Sequence, residues 1–117
     1  MTKPDPIVHV EIARFFVKAL KYLQKKYPHI TDDVQSLIRQ LEQGETPGDQ
    51  MPGIRHPVYK VRLSSTDQSK GKRGGYRVIY YVKTTDFIFL ITIYAKSQQT
   101  DISASEIHRM IDELEKK

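Results

Sequence analysis

The sequence predicts an α+β fold with its elements in the order β-α-α-β-β-β-α, a mainly antiparallel sheet carrying an N-terminal helical hairpin and a C-terminal helix. Three observations predict it. Apolar residues recur at helical spacing over the first third, switch to alternating or continuous β-rich runs between residues 58 and 95, and return to helical spacing after a capping signature at Ser103. Val, Ile, Leu and Phe fill 31 of 117 positions, too many for a disordered chain and enough for one core, so residues 1–117 are expected to form a single domain. The three later strands follow one another through short links, which favours a meander.

The elements can be justified in turn. Residues 7–12 read as a strand, Val8, Val10 and Ile12 alternating with His9 and Glu11. Phe16, Leu20, Leu23 and Tyr27 recur at intervals of three and four and predict a helix over 13–27, stopped by Pro28. Thr31 is the expected N-cap of a second helix, with Asp32 and Asp33 in the first turn, Val34, Leu37, Ile38 and Leu41 as its apolar stripe and Gly44 at its end. Three prolines and two glycines between 45 and 57 predict a loop without regular structure. Strands are expected over 58–63, 76–82 and 87–95, the last two joined by a four-residue connection at 83–86. Ser103 with Glu106 forms a capping box, and Ile102 with Ile107 the matching staple, for a final helix that buries Ile107, Met110, Ile111 and Leu114.

The longest apolar run, 87–95, is too short for a membrane span, and the first residues lack the apolar stretch of a signal peptide. A cytoplasmic protein is expected. Absence of cysteine excludes disulfides, thiolate metal sites and cysteine nucleophiles. His9, His29, His56 and His108 show no metal-ligand spacing, and the glycines at 71–75 form neither a Walker nor a dinucleotide pattern, so neither metal nor cofactor is expected.

The net charge of +5 is unevenly spread. Residues 1–51 are neutral, 98–117 carry −2, and 52–97 carry +7 from Arg55, Lys60, Arg62, Lys70, Lys72, Arg73, Arg77, Lys83 and Lys96 against Asp67 and Asp86. Tyr59, Tyr76, Tyr80, Tyr81 and Tyr94 interleave with these cations, a composition suited to phosphates and stacked bases, although tyrosine is also a good strand residue and some of the five belong to the core. Pairing Val82 with Phe87 puts Arg77 opposite Thr92 and sends Arg77, Thr92, Tyr94 and Lys96 to one side of the sheet. Val78, Tyr80, Val82, Phe89, Ile91 and Ile93 then form the core face. The same alternation sends Tyr59, Val61 and Leu63 to the core and Lys60 and Arg62 to the side of Arg77. A hairpin one residue longer or shorter inverts one strand. Four cations and a tyrosine on one surface suit attack on a phosphodiester, where fixed positive charge stabilises the transition state and RNA supplies its own 2′-OH nucleophile.

The run Lys70-Gly71-Lys72-Arg73-Gly74-Gly75-Tyr76-Arg77-Val78-Ile79-Tyr80-Tyr81, followed by Leu90-Ile91-Thr92-Ile93-Tyr94-Ala95-Lys96-Ser97 and Asp101-Ile102-Ser103-Ala104, resembles the RelE/ParE superfamily of toxin–antitoxin toxins, its HigB-like and RelE-like branch in particular. Tyr59-Lys60-Val61-Arg62-Leu63 fits the strand before the glycine loop. The resemblance implies a RelE-like fold and a metal-independent endoribonuclease, an mRNA interferase, that cuts mRNA in the ribosomal A site against ribosomal RNA and is neutralised by a cognate antitoxin. It implies Lys60, Arg62, Arg77, Tyr94 and Lys96 as catalytic residues, with Lys70, Lys72, Arg73, Tyr76 and Arg55 binding RNA or the ribosome. RelE has a tyrosine where this chain has Ile102 and Ser103, which leaves Tyr94, Lys60 and His56 as candidates for general base. Two other readings stand: a ParE-like DNA gyrase inhibitor, which shares the fold but has no need of the Lys60, Arg62, Arg77 and Lys96 cluster, and a non-catalytic basic RNA-binding module, which explains the charge but not the family motif. The antitoxin can cover the Lys60, Arg62, Arg77 and Lys96 face or bind elsewhere and obstruct ribosome entry, and the exposed charge and tyrosines slightly favour the first.

Overall fold

The computed structural model of the chain describes residues 5–67, 74–98 and 101–116. Its elements are β1 (His9–Ile12), α1 (Arg14–Gln24), α2 (Ile30–Glu42), β2 (Asp49–Gln50), β3 (Val58–Leu63), β4 (Tyr76–Thr84), β5 (Phe87–Ala95) and α3 (Ala104–Glu115). The strands form one sheet in the order β1-β5-β4-β3-β2, antiparallel except where β1 runs parallel to β5. The expected α+β class and element order hold, with one strand added.

The added strand is β2. It lies inside 45–57, the stretch expected to be irregular, and pairs Asp49 with Lys60 and Gln50 with Tyr59. Gly48 permits this approach: its φ is +91°, and a Cβ there would sit 2.4 Å from the Lys60 carbonyl oxygen.

Helices cover both faces of the sheet. On one, Phe16, Leu23 and Tyr27 of the α1 segment and Ile30, Val34, Leu37 and Leu41 of α2 pack on Val61, Tyr76, Val78, Tyr80, Leu90 and Ile93. On the other, Ile107, Met110 and Ile111 of α3 pack on Val58, Ile79, Tyr81, Ile91 and Tyr94. Coverage from two sides explains why β5 is apolar almost throughout. Ser103 caps α3, its Oγ accepting the Glu106 N–H at 3.2 Å, and Ile102 and Ile107 are buried together as the staple requires.

The register of β4 against β5 departs from expectation. The turn is tighter than four residues, with Thr84 opposite Phe87, and an irregularity between Val82 and Thr84 then sets Val82 against Ile88 and Tyr80 against Leu90. This moves Phe89 and Ile91 off the expected face and under α3. A bulge between Ile79 and Tyr80 leaves Ile91 without a partner, after which Ile79 pairs with Thr92, Val78 with Ile93 and Arg77 with Tyr94. The second slip cancels the first, and Tyr94 keeps the face it was assigned.

Helix α2 also begins earlier than expected. Its N-cap is His29, and Thr31 lies within the first turn, its Oγ1 accepting a bond from Gln24 Nε2 at 3.1 Å. The capping oxygen comes from far along the chain. Asp67 accepts the His29 backbone N–H at 2.8 Å through Oδ2 and pairs with His29 Nδ1 at 2.7 Å through Oδ1. Asp33 accepts the Thr66 N–H at 3.0 Å and the Thr66 hydroxyl as well. Two carboxylates therefore tie the chain leaving β3 to the start of α2, where negative charge favours the helix dipole.

The chain re-enters the sheet at Gly75, with φ +84°, where a Cβ would stand 2.5 Å from the Leu63 carbonyl oxygen. Gly75→Ala is expected to cost about 3 kcal/mol from a disfavoured conformation plus backbone contact. Gly44→Ala, with equally positive φ but open space around it, should cost about 1 kcal/mol. Urea unfolding of the two variants checks the difference.

The ion pair predicts a pH dependence. The hydrogen bond and charge of Asp67 lift His29 above its usual 6.5, and the hydrogen bond from His29 holds Asp67 below its usual 3.8. The His29 contribution is complete below pH 6.5 and is lost as pH rises through the raised folded value. That of Asp67 is complete above 3.8 and is lost as pH falls through the lowered one. Both act from about pH 4 to 6.5. His29→Gln should flatten the decline in stability above pH 6.5, read as melting temperature against pH for both proteins.

Candidate functional site

Strand alternation decides which side chains share the corner of the sheet beyond α3. Arg77, Ile79 and Tyr81 alternate with Tyr76, Val78 and Tyr80 along β4, and the second set lies in the core against α1 and α2. Across β3, Lys60 pairs with Ile79 and Arg62 with Arg77. Across β5, Arg77 pairs with Tyr94. Lys60, Arg62, Arg77 and Tyr94 therefore share one face. Lys96 follows the end of β5, its N–H donating to the Gly75 carbonyl oxygen at 3.1 Å, which keeps it beside the start of β4.

Arg62 directly opposite Arg77 is an arrangement that a sheet ordinarily avoids, because like charges on facing residues destabilise the pair. Among the described residues, no carboxylate forms an ion pair with either arginine. Arg77 Nη1 donates to the Tyr76 carbonyl oxygen at 3.3 Å, holding the guanidinium near its own strand. Arg62 is exposed and Arg77 half-buried. Arginines at facing positions can turn their planar donor forks toward one oxyanion such as a phosphate.

Asp101 enters this corner as well. Its Oδ1 accepts the Ile102 N–H at 2.8 Å, Lys60 Nζ at 3.4 Å and the Tyr94 hydroxyl at 3.4 Å. The Ile102 N–H, together with Lys60 and Tyr94, holds the Asp101 carboxyl below its usual range. Burial, followed by the charge of Asp101, pushes Tyr94 up to about 12, against a smaller opposing effect of Arg77. Tyr94 is thus a phenol at neutral pH, its hydroxyl donating to Asp101. In the sequence Asp101 stands in the Asp101-Ile102-Ser103-Ala104 run that carries part of the resemblance, two residues before the cap of α3, with no role assigned to it. Its meeting with Lys60 depends on the path from β5 to α3.

Other expected site residues lie elsewhere. Tyr76 is fully buried, edge-on to Tyr27, with its hydroxyl 2.8 Å from Ser65 Oγ, so its ring cannot reach RNA. Tyr80 is likewise buried and stacked on half-buried Tyr59, and its hydroxyl donates to the Pro47 carbonyl oxygen at 2.6 Å. Tyr81 donates to Glu115 at 2.8 Å. The tyrosines interleaved with basic residues build the core, because a sheet covered on both faces needs large side chains on both. Thr92 is buried opposite Ile79. His56 packs its ring 5.2 Å from that of Tyr81 and 6.3 Å from that of His108. Tyr81 is four residues, or roughly 13 Å, along β4 from Arg77, which removes His56 from the cationic corner. Arg55 is drawn to the same far end, its N–H donating to His108 Nε2 at 3.1 Å. Lys70, Lys72 and Arg73 lie outside the described residues.

Among the described residues, no three His, Asp or Glu side chains are grouped to share a metal ion, and no helix is long and apolar enough to cross a membrane. The sequence model of a family described as the RelE toxin of the RelE/RelB toxin–antitoxin system matches residues 14–116. Among solved structures, the chain is similar to an arginine-to-alanine double mutant of E. coli toxin RelE in the free state. The sequence identity is 19%, the TM-score 0.49, and the match covers 94% of this chain and 99% of that one.

Proposed function

The chain belongs to the RelE toxin family of toxin–antitoxin systems, and from that premise we propose that it is a ribosome-dependent mRNA endonuclease acting in the cytoplasm. The observation that carries this reading is the Arg62–Arg77 pair on neighbouring strands, with Lys60 beside it and Tyr94 opposite Arg77. An anion between the arginines turns a repulsive pair into a favourable one.

The proposed reaction is attack of a ribose 2′-OH on the adjacent phosphorus with departure of the 5′ oxygen. The phosphorane formed on the way carries more negative charge than the diester. Arg62, Arg77 and Lys60 stabilise that added charge, and Lys96 extends the positive field from the end of β5. Tyr94, opposite Arg77, offers its hydroxyl for hydrogen bonding or proton transfer at the ribose. The ribosomal A site orients the mRNA for in-line attack, the larger share of catalysis where the nucleophile is already tethered to its target. A cognate antitoxin is the natural partner, and an acidic segment laid over the same cationic corner would neutralise the toxin.

Arg77→Ala tests the reading. Cleavage of ribosome-bound mRNA should fall by about a hundredfold or more, in the range seen when a positioned transition-state donor is lost. Growth inhibition on induction should disappear. Stability should be unchanged or slightly higher, since the Arg62 opposition is relieved. Products of the unmodified chain should end in a 2′,3′-cyclic phosphate and a 5′-OH, and free RNA should be cut poorly. A 5′-phosphate product would assign the attack to water, and gyrase inhibition without RNA cleavage would replace the reading with the ParE-like one.

A further inference from the structure

We propose that Asp101 is a positioning residue, a clamp that joins Lys60 to Tyr94 across the intervening strand and fixes the Lys60 ammonium on the cationic face. The inference rests on the nuclease reading for its consequence but not for its geometry. Lys60 lies on β3 and Tyr94 on β5, with β4 between them. Strands two apart are separated by roughly 10 Å. A single oxygen, Asp101 Oδ1, lies 3.4 Å from both Lys60 Nζ and the Tyr94 hydroxyl. Convergence of two side chains from non-adjacent strands on one atom requires that the atom be held, and it is. The Ile102 N–H donates to it at 2.8 Å, Ile102 is buried under α3, and Ser103 caps the helix one residue later.

Stability alone does not account for the arrangement. The Asp101 side chain is 59% exposed and that of Lys60 34%, conditions in which an ion pair contributes little to folding. Its effect is on where the lysine points. Lys60 stands on a four-carbon stem with three donors on its ammonium. One donor bound to Asp101 restricts the stem and leaves two for a phosphate. Lys60 and Asp101 also line an open cavity of about 370 Å³ together with Asp49, Gln50 and Met51, so the ammonium lies at an open surface and not in the core.

The test compares Asp101→Asn and Asp101→Glu with the unaltered chain. In the isolated protein, ¹³C relaxation at the Lys60 ε-methylene should report a restrained side chain in the unaltered protein, a mobile one in Asp101→Asn and an intermediate one in Asp101→Glu. Melting temperatures should differ little. On ribosomes, Asp101→Asn should lower kcat about five- to tenfold with KM nearly unchanged, the size expected when the Asn Oδ1, still an acceptor, holds Lys60 without the attraction of a charge. Asp101→Glu should recover part of it. Equal Lys60 relaxation in the unaltered and Asn proteins overturns the clamp, as does full kcat in Asp101→Asn. If the unaltered chain cuts no mRNA, the nuclease reading fails, and the relaxation measurement alone decides the clamp.

Discussion

The register of β3 against β4 is the constraint on which the rest depends. It is set where the chain turns back at Gly75, close enough to the Leu63 carbonyl that no side chain fits between them. From that point Leu63 meets Tyr76, Arg62 meets Arg77 and Val61 meets Val78. A slip of one residue would turn Arg77 into the core and present Tyr76 to solvent. The buried set prevents the slip. Tyr76, Val78 and Tyr80 are all fully enclosed against α1 and α2, and each large side chain so enclosed contributes about 2 kcal/mol. The arginines are therefore held together by the apolar residues behind them and not by any attraction of their own.

The same logic explains where the face is left open. Helix α3 covers the second side of the sheet over Val58, Ile79, Tyr81 and Ile91. Beyond Tyr94 the segment leading into α3 brings Asp101 in place of an apolar residue, and Lys60, Arg62 and Arg77 remain at the uncovered corner. A helix laid over this corner would bury guanidinium groups that have no carboxylate partner among the described residues, at a cost that a surface-exposed pair avoids. Cation placement and the limit of the helix are two expressions of one energetic fact.

Much of this was legible in the sequence, and particular residues show where legibility stopped. The strands at 58–63 and 87–95 and the capped start of α3 follow from short-range pattern and end where expected. Lys60 and Arg62 could be placed opposite the core because β3 alternates without interruption. The hairpin could not be read in full. An irregularity between Val82 and Thr84, just past the tight turn, shifted the pairing by one, and the Ile91 bulge shifted it back, so Phe89 and Ile91 changed faces while Tyr94 did not. A strand apolar on both sides carries no alternation from which a bulge can be detected. The cap of α2 escaped for another reason. Thr31 satisfies the local rule, but the oxygen that serves the helix belongs to Asp67, and a pairing over 38 residues leaves no local mark.

Tyrosine placement carries a further physical lesson. Basic residues interleaved with tyrosines suggest a surface made for nucleic acid, yet here the two sets are separated by the sheet itself. Along β4, Arg77 and Tyr76 are neighbours in sequence and point to opposite faces, one to an open corner and the other to a closed core. The phenol oxygens of Tyr76 and Tyr80 still find partners, Ser65 and the Pro47 carbonyl, so their rings are buried at little polar cost. Tyr81 and Tyr94 share the face of Arg77, but Tyr81 gives its hydroxyl to Glu115 at the far end, whereas Tyr94 brings its own to the cationic corner, where burial and Asp101 raise its pKa. Alternation thus converts one mixed stretch of sequence into a rigid aromatic support and a positive surface, and the second is only as well ordered as the first.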